Sequence, residues 1–281
     1  MTHQRHSRAA RPLSADELLS RLGRLTEQAL ERAELQQARV ELAEALQREL
    51  LPIELPELPG LSAAACYAPA RHGLDIGGDW FDGFWLPDGT VAFSLGDVQG
   101  HDVEAAVFMG QVRIGLRAVA AGAADPGEAL YLANNLLTSM DCTLFATCSF
   151  LSFDPVRQEL RGARAGHLPA IWATSDGRSG IALDAGGPPL GVLADQDYPV
   201  SCHRLPLPGA CALVTDGVVE GPSFPIEAGL AEVLRIVRTA VREGVRAGRG
   251  VDPARLAAQI IRVADLTGHA DDAAVLVLSR R

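Results

Sequence analysis

Lysine is absent from this chain, so all 25 Lys/Arg-type residues are arginine. With abundant alanine and glycine, this reflects a GC-rich genome and carries no mechanistic meaning. No GxxxxGK[ST] loop occurs, and without lysine none could be completed, which removes a P-loop nucleotide-binding kinase. The five cysteines (Cys66, Cys142, Cys148, Cys202, Cys211) form no CxxC pair, no Cys/His ligand spacing and no Cys-x5-Arg signature. Neither a zinc site nor a disulfide framework is expected, and a reducing compartment fits best. No stretch approaches the roughly 20 apolar residues of a membrane span. Met1 to Pro12 is polar and basic with no apolar segment behind it, unlike a secretory leader. Positive charge is in deficit, with a net charge of −10, which argues against a partner bound through its phosphate backbone. The expectation is a cytoplasmic protein with no nucleic-acid partner and no membrane span.

What is present supports a packed core. A hydrophobic content of 48% over 281 residues suffices for one large domain or two small ones. From Ser14 to Leu51 there is no proline and one glycine, and apolar residues recur at helical spacing: Leu18, Leu22, Leu25, Ala29, then Leu35, Ala38, Leu42, Ala45. Ser14 and Glu17 form a capping-box start. The two apolar series are out of register, since the first continues onto Arg32 and Gln36; a helix packed on its own domain and a short dimerising coiled coil with a stutter both fit. The three prolines between Leu51 and Gly60 end the helix. The expected organisation is a disordered tail over 1–13, a helical regulatory or dimerisation segment over 14–51, and a domain over 52–281.

Beyond Gly60, β-like runs alternate with turns: Ser62–Tyr67, Phe81–Leu86, Thr90–Leu95, Thr147–Phe153, Glu159–Ala165, Ala170–Ala173, Cys211–Val214 and Ala273–Leu278. Helical stretches interrupt them at Asp102–Ala121, Gly127–Met140, Ile226–Arg246 and Pro253–Leu266, the last with Asp252 as N-cap and Pro253 as first helical residue. Hairpin-like strand pairs with inserted helix pairs predict an α+β fold, a β-sandwich flanked by helices.

Four aspartates stand in settings that a cation site requires: Gly77-Gly78-Asp79, Leu95-Gly96-Asp97-Val98, Val214-Thr215-Asp216-Gly217 and Ala270-Asp271-Asp272. The last three adjoin strand-like runs, and carboxylates at strand ends can converge on one sheet edge. Converging carboxylates repel unless a hard cation neutralises them, and oxygen-only ligands select Mg²⁺ or Mn²⁺. Gly77 and Gly78 allow close backbone approach to a ligand; the plainer alternative is a turn whose aspartate bonds its own backbone. Asp97 can offer a carboxylate oxygen and Val98 its carbonyl. Asp216-Gly217 and Asp271-Asp272 are weak signals singly and gain force jointly, with either Asp271 or Asp272 as the ligand. His101 reads as a helix cap and His167, in Ala165-Gly166-His167-Leu168-Pro169, as a turn residue.

The ordered set Gly-Gly-Asp-Trp-Phe-Asp (77–82), Gly-Asp-Val-Gln-Gly-His (96–101), Ala-Gly-His-Leu-Pro (165–169), Gly-Pro-Pro-Leu-Gly (187–191), Thr-Asp-Gly (215–217) and Asp-Asp (271–272) resembles the RsbU/SpoIIE branch of the PPM metal-dependent serine/threonine phosphatases. The likeness runs from about Leu46, through Leu46-Gln47-Arg48-Glu49-Leu50-Leu51-Pro52, to the C-terminus. It implies an αββα sandwich with two Mn²⁺ or Mg²⁺ ions at one end. Asp97 would match the ligand shared between the metals, with the Val98 carbonyl beside it; Asp216 and Asp271 would match further carboxylates, and Asp79 would act directly or through water. Asp97 and Asp216 are the residues expected to carry the chemistry, which the resemblance implies to be direct in-line hydrolysis by a metal-bridging water without a phosphoenzyme. The implied substrate is a phosphoserine or phosphothreonine on an anti-anti-sigma (STAS) protein in a partner-switching pathway. Asp102 stands where the branch often has glycine, and Ala274 where a threonine often follows the acidic pair.

Two rivals remain to be weighed. Haloacid-dehalogenase phosphatases need an Asp-x-Asp pair after their first strand, and the spacing found here, Asp195-Gln196-Asp197, comes late and runs into Tyr198-Pro199. A catalytically silent PPM-fold scaffold that binds a signalling partner has the four acidic positions against it.

Overall fold

The computed structural model describes residues 14–70, 77–100, 103–140, 143–204, 209–269 and 271–280. The expected tail over 1–13, His101, Asp102 and Cys142 lie outside the described residues. By compactness the chain divides into Met1–Leu42 and Ala43–Arg281. Helix α1 (Ala15–Leu50) is unbroken over 36 residues, as its lack of proline allows. In the first unit Leu19, Leu22, Leu25, Leu30 and Leu35 are exposed. The Ser14/Glu17 capping box depends on a Glu17 side chain outside the described set.

The second unit is built on β1 (Leu61–Ala68), β2 (Trp80–Trp85), β3 (Val91–Val98), α2 (Val103–Ala120), α3 (Pro126–Thr138), β4 (Ala146–Asp154), β5 (Glu159–Ala165), β6 (Ile171–Thr174), β7 (Ser179–Ile181), β8 (Ser201–His203), β9 (Gly209–Val214), α4 (Asp216–Val219), α5 (Ile226–Arg246), α6 (Pro253–Ile260), α7 (Ala264–Thr267) and β10 (Ala273–Arg280). The strands form two antiparallel sheets, ordered β1-β10-β9-β6-β7 and β2-β3-β4-β5-β8. Helices α2 and α3 cover the second sheet and α4, α5 and α6 the first, giving the expected αββα layers.

Side-chain alternation decides which layer each residue joins. In β3, Val91, Phe93 and Leu95 enter the core between the sheets, while Ala92 faces the α2/α3 side. In β10, Ala274, Leu276 and Leu278 point between the sheets and Ala273, Val275 and Val277 toward α5 and α6. Both strands are interior to their sheets and buried on both faces, so they read as near-continuous apolar runs. Gly96 sits opposite Trp80, whose ring occupies the space a Cβ there would need.

Local chemistry sets the turns. Asp88 accepts from Thr90 N and Oγ1 at 2.9 and 2.7 Å, and Gly89 takes the left-handed conformation (φ +83°), closing the β2–β3 hairpin. Asp252 caps α6 from its side chain with Pro253 at the first position, as expected, and Asp125 does the same for α3 with Pro126. Between Pro253 and Leu266 a single helix was expected; the chain instead breaks into α6, a 3₁₀ turn over Ile261–Val263, and α7. The short edge strands β7 and β8 carry too few residues for a periodic signal. Pro-rich residues 52–60 pack on the domain: Leu55 and Leu58 lie against the inter-sheet core, and Leu55 and Pro56 close over Gly83. Among the described residues no helix is long and apolar enough to cross a membrane.

Candidate metal centre

The alternation that fills the inter-sheet core also delivers its acidic end. Asp97 lies two residues beyond Leu95 on the same face of β3, and Asp272 two residues before Ala274 of β10. Asp79 precedes β2 by one residue, on the side of Phe81, which packs between the sheets. Thr215 follows Leu213 of β9 in the same sense, and Asp216 opens α4 immediately after. Four segments from two sheets therefore meet at one end of the sandwich.

Glycines let these segments touch. A Cβ on Gly217 would strike the Asp272 carbonyl, one on Gly78 the Val98 carbonyl, and one on Gly77 both the Tyr67 hydroxyl and the Asp272 carboxylate. Val98 N donates to the Gly78 carbonyl at 3.2 Å, tying the Gly-Gly-Asp segment to the end of β3. Asp79 does not bond its own backbone as in the plainer alternative. Thr215 Oγ1, 136 residues away, donates to Asp79 Oδ2 at 2.7 Å and accepts from Ala274 N at 2.8 Å.

The two members of the acidic pair differ. Asp272 is 2% exposed, accepts from Ala70 N at 2.9 Å and bonds the Tyr67 hydroxyl. Asp271 is exposed and accepts from Asp272 N at 2.8 Å. Asp272 is held by the end of β1; Asp271 faces Asp216 and Asp97, raising the pKa of each.

Every resolved shift within the cluster shows crowded negative charge. Burial, then Asp97, pushes Asp79 well above the carboxylate range, with the Thr215 hydrogen bond pulling the other way before Asp272 and Asp216 add to the rise. Burial, then Asp216 and Asp271, carries Asp97 to about 8, while a hydrogen bond to Asp79 opposes it. Burial and then Asp271 raise Asp216. Tyr67 is raised by burial and then by Asp272 and Asp79. Among the described residues no group of three or more His, Cys, Asp or Glu side chains stands already arranged to hold a metal ion. Oxygen donors and an excess of buried negative charge fit a hard divalent cation.

Of the residues singled out in the sequence, Asp79, Asp97, Val98, Asp216 and Asp271 come to this end. His101 lies outside the described residues. Thr215, Tyr67 and the tethering role of Asp272 were not foreseen; for Thr215 the signal was present, two residues past an inward-facing leucine.

Residues 87–281 match the family described as Stage II sporulation protein E (SpoIIE). The chain belongs to this family. SpoIIE-family domains are PPM-type phosphatases, so the sandwich is that of a PPM phosphatase domain. The chain is 29% identical over 208 residues to "Protein IcfG" of Synechocystis, covering 63% of this chain and 32% of that protein. It is 24% identical over 182 residues to the phosphoserine phosphatase RsbU of Bacillus subtilis, covering 64% and 53%. It thus spans about a third to about a half of the curated relatives' length. The crystal structure of the RsbU and RsbW domains of a Mycobacterium tuberculosis protein superposes with a TM-score of 0.71 at 30% identity, covering 83% of this chain and 63% of that one.

Proposed function

We propose that this SpoIIE-family domain is a Mn²⁺- or Mg²⁺-dependent phosphatase that hydrolyses a phosphoserine or phosphothreonine on an anti-anti-sigma-type (STAS) protein in a cytoplasmic partner-switching pathway. The observation that carries it is the convergence of Asp79, Asp97, Asp216 and Asp271, with burial and then neighbouring carboxylates raising the pKa of Asp79, Asp97 and Asp216. The substrate class rests on likeness to a phosphoserine phosphatase and to an RsbU domain described together with an RsbW domain.

In this reading two ions are held by Asp97 with the Val98 carbonyl, by Asp216 and Asp271, and by Asp79 directly or through water. When bound, the ions neutralise phosphoryl charge and make a water nucleophilic at neutral pH. The residues around them do the positioning. Thr215 fixes the Asp79 carboxylate from the opposite sheet. Asp272, tied to Ala70 N and Tyr67, forms the back wall against Gly77 and Gly217. Carboxyls whose pKa is raised, as those of Asp79 and Asp97 are, would give up their protons to hold a cation, so loading would release protons.

The test is dephosphorylation of a phosphorylated STAS protein, with an aryl phosphate in parallel, with and without Mn²⁺ and in Asp97→Asn and Asp216→Asn variants. Turnover that needs Mn²⁺ and is lost in both variants, with no phosphoprotein trapped by rapid quench, is expected. Full activity in either variant would remove that residue from the centre. Inactivity of the wild type on both substrates would leave a partner-binding scaffold.

A further inference from the structure

The Ala-Gly-His-Leu-Pro segment takes no part in the centre described above, yet its histidine lies directly behind it. His167 is 3% exposed. Its Nδ1 is 2.8 Å from Thr147 Oγ1, and Thr147 is the residue of β4 paired with Asp97 of β3. The backbone of Val214 lies close to the ring from the other sheet, while Nε2 is buried and closes no hydrogen bond among the described residues. Val214 ends β9, immediately before Thr215 and Asp216. One imidazole thus stands between the two sheets, in contact with the neighbour of Asp97 on one side and the strand that delivers Asp216 on the other.

The ring is fixed from behind. Arg164 Nη1 donates to the His167 carbonyl at 2.7 Å, and Arg164 Nη2 to the Asp184 carbonyl at 2.8 Å. Gly166 is left-handed (φ +64°), packs against Pro189 where a Cβ would clash, and donates from its N to the Gly187 carbonyl at 2.8 Å. Burial holds the imidazole neutral, with its pKa down at about 3. The neutral ring carries a single proton, and its Nδ1 and the Thr147 hydroxyl share one hydrogen bond at 2.8 Å.

We propose that His167 is a positioning residue: buried between Thr147 of one sheet and the Val214 backbone of the other, it sets the separation between the Asp97 and Asp216 strands and so the geometry in which their carboxylates receive a cation. This rests on the reading of the acidic end as a metal centre. A ring buried only to fill space would not need the hydroxyl partner. The position between the two strands also explains a histidine beside an inter-sheet core that is otherwise mainly aliphatic and aromatic.

The experiment compares wild type with His167→Ala, His167→Gln, Thr147→Val and, as a control of similar core damage on the inter-sheet face of β10 away from the acidic end, Leu278→Ala. Mn²⁺ affinity is read by calorimetry, stability of the metal-free protein by thermal unfolding, and the Asp97–Asp216 separation from metal-free crystals. Expected are at least tenfold weaker Mn²⁺ binding and an altered separation in His167→Ala, partial recovery in His167→Gln, whose amide can still bridge the gap, and non-additive losses in the Thr147→Val/His167→Ala double variant. The proposal is overturned if His167→Ala keeps the wild-type separation, or if Leu278→Ala loses Mn²⁺ affinity to the same degree. Should His167→Ala fail to fold, His167→Gln and Thr147→Val decide by the same measures, and wild-type affinity in both overturns it. A wild type that binds no Mn²⁺ instead removes the metal centre, a result separable from the strand separation in metal-free crystals.

Discussion

Thr215 Oγ1 donates to Asp79 Oδ2 at 2.7 Å across the two sheets, and the same oxygen accepts from Ala274 N at 2.8 Å. One hydroxyl thereby satisfies a buried carboxylate and a buried strand amide together. Thr215→Val keeps the shape and strands both groups, which costs about 1–3 kcal/mol for an unmet buried partner. It also removes what restrains the Asp79 pKa, so that carboxyl rises further. Urea unfolding of the metal-free variant, showing a lower midpoint at unchanged slope, checks it; an unchanged midpoint would mean that water replaces the hydroxyl.

The metal-free protein is expected to lose stability as pH rises. Asp97 titrates near 8 in the folded state and Asp79 and Asp216 are also raised, whereas unfolded aspartates titrate near about 3.9. Between those values the folded protein holds protons that the unfolded chain has released, so stability falls from about pH 4 through about pH 8. Bound Mn²⁺ stabilises the ionised carboxylates and should flatten or reverse that slope. Thermal melts from pH 5 to pH 9 with chelator or with Mn²⁺ show it directly.

Asp82 alternates to the opposite face of β2 from Asp79, where it is fully buried and meets Arg113 Nη1 and Arg117 Nη2, each at 3.1 Å. Arg117 also stacks over the Phe84 ring at 4.7 Å. Asp82→Asn leaves the largely buried Arg113 without its counter-charge and should cost about 3–5 kcal/mol. Because this cluster lies on the helix side of the sheet, Mn²⁺ affinity should change less than stability. Chemical unfolding and calorimetry on one preparation separate the two.

Leu19, Leu22, Leu25, Leu30 and Leu35 of α1 are exposed, which supports pairing of two chains through residues 14–51. Removal of residues 1–42, the boundary drawn by compactness, is expected to leave a folded monomer with lower Mn²⁺-dependent activity. Sedimentation of both forms beside an activity assay decides it; equal oligomeric state and equal activity would leave the helix no regulatory role.

The candidate site was only partly legible in the sequence. Asp79, Asp97 and Asp216 stood out because glycine and strand ends are visible in one dimension. Asp271 and Asp272 could not be told apart there, since the distinction depends on Ala70 and Tyr67, some 200 residues earlier in the chain. His167 looked like a turn residue because nothing adjacent in sequence announces that Thr147 and Val214 will flank it.

The sequence by itself determined the secondary structure that carries strong local signals: α5 over Ile226–Arg246, the Asp252-Pro253 start of α6 and the hydrophobic runs of β3, β4, β9 and β10. Those follow from proline geometry, side-chain capping and apolar spacing, all acting within a few residues. Only the tertiary structure decided which face of each strand meets the other sheet, and therefore that Asp97, Asp272 and Thr215 share one end while Asp82 turns to the helices. Strand pairing brings together residues more than a hundred positions apart, and the energy that selects the pairing is spread over the whole inter-sheet core.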